Sequence, residues 1–333
     1  MTRRTLTVFR AALLAIWPLA VVDATPVYAQ TASTGSGQAY PSKPVRIVTG
    51  GPGSNGDLTS RLIAPGLTAA LGQQVIVENR PSGIILGETV AKAPPDGHTL
   101  LVTGSSFWLA PFLQSNVPWD PIRDFAPISL ASTSPNLIVV HPSLPAKTVK
   151  ELIALAKARP GQLNYASGTT GSGPHLAAEL FNSMAHVNIV RINYKGAGQA
   201  MTDLIGGHVQ VMFPNGGGAA PQVKSGRLRA LAVTTAQPST LFPDLPTVAS
   251  SGLPGYESEV LNGVFAPAKT PPAIISKVHQ ELAPLLSRAD IKEKLFTSGV
   301  EVIAGPPEKL TAAMKNEMNL WGKLIKQLGI KDE

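Results

Sequence analysis

Residues 44–72 read PVRIVTGGPGSNGDLTSRLIAPGLTAALG. Pro44–Val48 is short, apolar and β-branched, the pattern of a strand, and Thr49–Asp57 is a glycine-rich loop. Leu58–Leu71 repeats apolar residues at helical spacing until Gly72 stops it. Strand, glycine loop and helix in this order make the first half of a βαβ unit. The order also aims bare backbone N–H groups and the positive end of a helix dipole at one spot, a general device for holding a small anion. It returns twice, in Ala166–His175 (ASGTTGSGPH) and Pro214–Pro221 (PNGGGAAP).

Outward from this stretch the alternation continues. Gln74–Glu78 reads as a strand, Leu86–Ala93 as a short helix, and His98–Thr103 as a third strand after the Pro94-Pro95-Asp96-Gly97 turn. Two extended runs follow, Pro127–Ala131 and Asn136–Val140, with Ser132–Pro135 between them. A second α/β series then opens at the capping box Thr148-Val149-Lys150-Glu151, whose helix ends at Pro160-Gly161. Its strands are Leu163–Ala166, Asn188–Asn193, Val209–Phe213 and Leu228–Thr234, with helices near Leu176–Met184, Ala197–Ile205 and Ala219–Lys224. Glu257–Ala266 is extended again, and helices are expected over Pro272–Leu286, Ile291–Ser298 and Pro307–Leu328. No internal repeat at solenoid period is present. The expectation is an α/β chain of two lobes, each a mainly parallel sheet flanked by helices. Residues 40–134 with 261–333 form the first lobe and 135–260 the second, linked through Ser132–Asn136 and the segment near Glu257–Val260. A ligand then belongs in the cleft, where glycine loops from both lobes meet at the carboxyl ends of their strands.

The start of the chain says where such a cleft works. Arg3 and Arg4 precede a mostly apolar run to Val22, and Val27-Tyr28-Ala29 has the small outer residues that suit signal peptidase. Residues 1–29 therefore read as a secretory signal peptide, cleaved after Ala29, and the small polar run 30–39 (QTASTGSGQA) as a flexible leader. The Arg pair leaves both the general and the twin-arginine export routes open. No later stretch of about 18 apolar residues occurs, so the exported chain is expected to be soluble. Cysteine is absent, so stability must come from the core. Glycine and proline number 31 and 30 of 333 residues, high but below the level of a disordered chain. Net charge is +7; removing Arg3, Arg4, Arg10 and Asp23 with the leader leaves an excess of five. That suits an acidic ligand, while aromatics at 5% and no interleaved Lys/Arg cluster exclude a nucleic-acid surface.

Gly51-Pro52-Gly53-Ser54-Asn55-Gly56 matches G-x-G-x-x-G between a strand and a helix, with Glu78 ending the next strand, which is a dinucleotide fingerprint in form. Export away from the nicotinamide pool, the stiff Pro52 and the lack of a hydride-transfer site oppose that reading. Ser167-Gly168-Thr169-Thr170-Gly171-Ser172-Gly173 offers hydroxyls beside backbone donors, which suits a carboxylate without a cation, or simply reverses the chain. Asn215 of the third loop either donates its amide to a ligand or caps a turn. Tyr194 and Lys195 end one strand, and Ser105 and Ser106 follow another, at equivalent places in the two lobes. Catalytic patterns fail: Pro52 breaks the G-x-S-x-G elbow, no Ser-x-x-Lys or Walker lysine occurs, and the six histidines show no metal-ligand spacing. His175, beside the second loop, reads as a cap or packing residue. Neither a cofactor nor a metal is expected, and binding without chemistry is favoured over an exported enzyme or a dinucleotide oxidoreductase.

Seven segments in one order carry a family likeness. They are Tyr40-Pro41-Ser42-Lys43-Pro44-Val45-Arg46, Val77-Glu78-Asn79-Arg80-Pro81, Ala91-Lys92-Ala93-Pro94-Pro95-Asp96-Gly97, Trp119-Asp120-Pro121-Ile122-Arg123-Asp124-Phe125, Leu163-Asn164-Tyr165-Ala166-Ser167, Tyr194-Lys195-Gly196 and Leu245-Pro246-Thr247-Val248. Over essentially the whole exported chain the sequence resembles the substrate-binding proteins of tripartite tricarboxylate transporters, the Bug or TctC-like receptors. The resemblance implies a periplasmic receptor of the type II binding-protein fold, closing on a small carboxylate and delivering it to a permease of one large and one small subunit. It also implies a grip by backbone amides and ordered water. Together with the loops it nominates Gly51, Pro52, Gly53, Ser54, Asn55, Asp57, Ser105, Ser106, Ser167, Gly168, Thr169, Tyr194, Lys195, Pro214 and Asn215 as ligand-binding, in a monomer. The chain departs from the family pattern in three places. The first loop lacks the usual proline–aromatic pair, Asn79-Arg80-Pro81-Ser82-Gly83 runs straight into Ile84, and Pro214 stands where an acidic residue commonly precedes the asparagine. These changes leave room for a larger or more apolar acid.

Overall fold

The computed structural model describes residues 40–331 apart from Gly53, 81–83, Thr169 and Lys195; the expected signal peptide and leader lie outside these residues. The chain builds two sheets. The first contains β1 (Val45–Thr49), β2 (Val75–Asn79), β3 (Thr99–Gly104), β4 (Phe125–Pro135), β10 (Glu259–Pro267) and β11 (Glu301–Gly305), in the order β2-β1-β3-β10-β4-β11. The second contains β5 (Leu137–Val140), β6 (Asn164–Ser167), β7 (Val190–Asn193), β8 (Val211–Met212) and β9 (Arg229–Val233), in the order β7-β6-β8-β5-β9.

Helices cover both faces of each sheet, so strand residues alternate between two apolar layers. Leu100 and Val102 of β3 join the layer of α1 (Asn55–Leu71), α8 (Pro272–Ser287) and α9 (Ala289–Thr297). Leu101 faces the opposite layer with α2 (Ile84–Ala91), α3 (Ser105–Leu113) and α10 (Pro307–Leu328). The second sheet is covered in the same way. Ile138 and Val140 pack with α4 (Val149–Ala158) and α5 (Gly173–Ala185), while Leu137 and Val139 pack with α6 (Ala197–Ile205) and α7 (Gly216–Lys224). Among the described residues no helix is long and apolar enough to cross a membrane.

Three expectations change. The sheets are mixed rather than mainly parallel: β1 pairs parallel with β2 and β3, and β6 with β7 and β8, but β4, β5 and β10 pair antiparallel with their neighbours. β5 and β10 enter from the other sheet and run against the βαβ direction, whereas β4 runs with β1 and β3 and is antiparallel only to its neighbours β10 and β11. Ser132–Pro135, expected as a link, is instead the end of β4, paired with β10 from Glu259 to Asn262. Only Asn136 separates β4 from β5. Finally α3 and β11 are additional elements. The α3 sequence, SSFWLAPFL, is apolar on every side and so carries no helical period, and β11 is a five-residue strand at the sheet edge.

Candidate functional site

The β1–α1 loop is held from beneath. Asn79, ending β2, donates through Nδ2 to Gly50 O and to Asp57 Oδ1, both at 2.7 Å, and Arg61 Nε donates to the same Asp57 oxygen at 2.9 Å. Ser54 is the N-cap of α1, its Oγ accepting from Asp57 N at 3.2 Å. Gly56 sits so close to β3 that a Cβ there would lie 2.7 Å from Thr49 Oγ1 and 3.1 Å from Val102 O. The loop is therefore pulled tight on the sheet, and the first-turn amides of Asn55 and Gly56, which have no acceptor inside the helix, lie on the wall of a cavity.

The β6–α5 loop is held by a parallel device that sequence reasoning missed. Arg191, on β7 opposite Tyr165, donates from Nε to Ser167 Oγ (2.7 Å), from Nη1 to Thr170 Oγ1 (3.2 Å), and from Nη2 to Gly168 O and Asn193 Oδ1 (2.9 Å each). His175 Nδ1 accepts from Gly171 N at 2.9 Å. Burial, with the Arg191 charge adding to it, lowers the His175 pKa to about 3, so the ring is neutral and locks the loop rather than exchanging protons. The third loop is capped by Asn215, whose Oδ1 accepts from Gly218 N at 3.3 Å.

A cavity of about 270 Å³ lies between the sheets. The starts of four helices reach its wall: Asn55 and Gly56 of α1, Ser105 and Ser106 of α3, Gly173 and Pro174 of α5, and the α7 N-cap Asn215. Their dipoles and first-turn amides all favour negative charge at that place. Asn262 on β10 closes the floor; it is 2% exposed and its Nδ2 has no hydrogen-bond partner among the described residues, as is also true of Ser172 Oγ. A second cavity of about 340 Å³ shares Ser172, Pro174 and Asn215 with the first and extends past Gly168, Met201, Met212 and Pro214. No described residue lining either cavity is charged. Among the described residues no group of three or more His, Cys, Asp or Glu is placed to hold a metal ion.

The nominated residues divide accordingly. Ser54, Asn55, Ser105, Ser106 and Asn215 line the first cavity, and Gly168, Pro214 and Asn215 the second. Gly51 and Pro52 belong to the loop but not to either wall, where Gly50 stands instead. Asp57 and Ser167 are turned into the loop clamps. Ser105 lies at the wall, but its hydroxyl accepts from Leu261 N at 3.3 Å and bonds the Glu317 carboxyl. Tyr194 donates to Asp203 Oδ2 at 2.8 Å, and burial together with that bond raises its pKa to about 12. Gly53, Thr169 and Lys195 lie outside the described residues. Asn262 gave no sequence signal, since it sits mid-strand in an apolar run.

Known proteins give this geometry a context. Residues 59–330 match the family described as "Tripartite tricarboxylate transporter family receptor". Protein BugT of Bordetella pertussis is 33% identical over 318 residues, covering 94% of this chain and 98% of that protein. Among solved structures, R. palustris Rpa4515 with adipate superposes with a TM-score of 0.78 at 34% identity, covering 88% of this chain and 99% of that one. The periplasmic binding protein BugD superposes with a TM-score of 0.75 at 31% identity, covering 88% of this chain and all of the other. The fold is thus that of periplasmic binding proteins, and the chain belongs to the tripartite tricarboxylate transporter receptor family.

Proposed function

We propose that the protein is exported to the periplasm by cleavage of residues 1–29, captures a small organic carboxylate between its lobes without chemistry, and as a monomer presents it to a two-subunit membrane permease. The lobes of this reading are residues 40–134 with 261–333, and 135–260. The observation that carries it is the meeting of four helix starts on one cavity whose described walls hold no charged side chain. A carboxylate there is met by several preorganised neutral donors, which stabilise it without a fixed counter-charge and let it leave again. The adipate seated in a 34% identical structure supports the same ligand class. Ser54, Asn55, Ser106 and Asn215 then touch the acid, while Asp57, Ser167 and Tyr194 hold the surrounding loops.

A thermal-shift screen of residues 30–333 against mono-, di- and tricarboxylates, amino acids and NAD tests the reading. An acid at 100 times its dissociation constant stabilises by about 2.7 kcal/mol, a shift of several degrees. Stabilisation by NAD and by no acid would sink it.

A further inference from the structure

We infer that the ligand is a monocarboxylate with an apolar body, its carboxylate in the first cavity and its hydrocarbon in the second. The inference rests on the carboxylate-receptor reading and sharpens it to a substrate class.

The two cavities adjoin along Ser172, Pro174 and Asn215, but their chemistry differs. The first has helix starts on its wall and the unpartnered Nδ2 of Asn262, 98% buried, facing the same space. A buried amide N–H left without an acceptor is costly, and a ligand carboxylate oxygen supplies one. The second cavity is also reached by the start of α6, through Gly196, Ala197 and Gly198, but its side chains are mainly those of Met201, Met212, Ala197, Pro174 and Pro214. Thioether and proline surfaces of this kind favour hydrocarbon, and methionine adapts to its shape. A second carboxylate placed there would meet the α6 start alone, with no cation among the described wall residues, and would lose its hydration against the methionine and proline surfaces. At about 340 Å³ the chamber is large enough to be more than a gap between side chains.

Calorimetry with acetate, butanoate, hexanoate, octanoate, succinate and adipate tests this on the wild-type protein and on Met201→Gln. Met201 is half-buried on α6, so the near-isosteric amide leaves the fold intact, as circular dichroism will verify. Affinity for monoacids should rise about fourfold for each added methylene until the chamber is full. Hexanoate should bind at least tenfold more tightly than adipate. Met201→Gln should weaken hexanoate about tenfold and leave acetate within twofold. Adipate binding as well as hexanoate, or affinity independent of chain length, overturns the inference while leaving the receptor reading in place. Adipate binding that is lost in Lys195→Gln overturns it too, by locating a cation at the far end. Binding of no acid at all removes the receptor reading and this inference together.

Discussion

Arg191 shows how a single side chain can decide a site it does not line. Its guanidinium spans Ser167, Gly168, Thr170 and Asn193, fixing the β6–α5 loop from the neighbouring strand as Asn79 fixes the β1–α1 loop through Asp57. Arg191→Ala should leave the buried Ser167 hydroxyl unpaired, lowering stability by about 1–3 kcal/mol in denaturant titrations. It should also weaken ligand binding by tenfold or more; unaltered affinity would show that the loop holds its shape without the clamp. The loop itself was legible from its glycines, but the clamp was not, because the register that sets Arg191 opposite Tyr165 is a property of two strands and of neither alone. A second residue sets a pH response. Burial pushes the Glu317 carboxyl up to about 7, although Trp108 Nε1 donates to it at 2.7 Å and Ser105 bonds it as well. The folded state therefore keeps a proton that the unfolded chain gives up above its ordinary value of 4.5, so Glu317 lowers stability as pH rises from 4.5 to 7. His175 acts with the opposite sign: its pKa falls from 6.5 to about 3, so the stability it contributes is lost as pH falls through that window. The two overlap, and a variant separates them. The melting temperature of Glu317→Gln minus that of the wild type should increase between pH 5 and pH 8; a constant difference would mean that the carboxyl titrates normally.

Elements with a strong period were readable and those without one were not. The helix over Pro307–Leu328 and the helix over Ala197–Ile205 follow from amphipathic spacing with proline or glycine at their limits. The Thr148 cap is present too, accepting from Glu151 N at 3.2 Å, but Glu151 returns its bond to Lys147 N at 2.6 Å rather than to the Thr148 amide that a full capping box would use. By contrast α3 is apolar around its circumference with no helical period, and its Phe107 stacks on Trp119 with ring centroids 4.5 Å apart. That omission mattered for the site, because α3 brings Ser106 to the cavity and supplies one of the four helix starts. At the site α1 packs on β3 through Gly56, where no Cβ fits. Gly56→Val must therefore push the start of α1 away from the strand, at a cost of about 1–3 kcal/mol for overpacking. Ligand affinity should fall at least tenfold, by calorimetry, in protein that circular dichroism shows to be folded. Full affinity in that variant would place the anion elsewhere than at the α1 start.

On the scale of the molecule, the two passages between the sheets lie side by side and are stitched by one residue. Thr234 N donates to Asn136 O at 3.0 Å, its Oγ1 accepts from Asn136 N at 2.9 Å, and Ser258 N donates to Thr234 O at 2.9 Å. If the two lobes bend at this link, they would part to admit a ligand and meet again around it. Away from the link, Leu113 of α3 lies against Gly171 of the β6–α5 loop, and two further contacts join elements of the two sheets. Ser239 and Thr240 donate to Glu301 Oε1 at 3.0 and 3.1 Å, and the start of α7 packs backbone to backbone against the turn at Ser298 and Gly299. At that second contact a Cβ on Gly217 would stand 2.0 Å from the Ser298 carbonyl oxygen, and the opposing Gly299 has φ +73°. Neither backbone can yield by rotating a side chain, so Gly217→Val acts as a wedge that holds the lobes apart. If ligand binding requires this contact, the variant should fold normally, bind its acid at least tenfold more weakly, and keep the same radius of gyration in small-angle scattering with and without the acid. The wild type should become more compact at saturation, because only the closed arrangement lets the β1–α1 and β6–α5 loops reach the ligand together. A wild-type profile unchanged by ligand, with Gly217→Val binding normally, would mean that the cavity is a rigid preformed site and that the loaded and empty protein present the same surface.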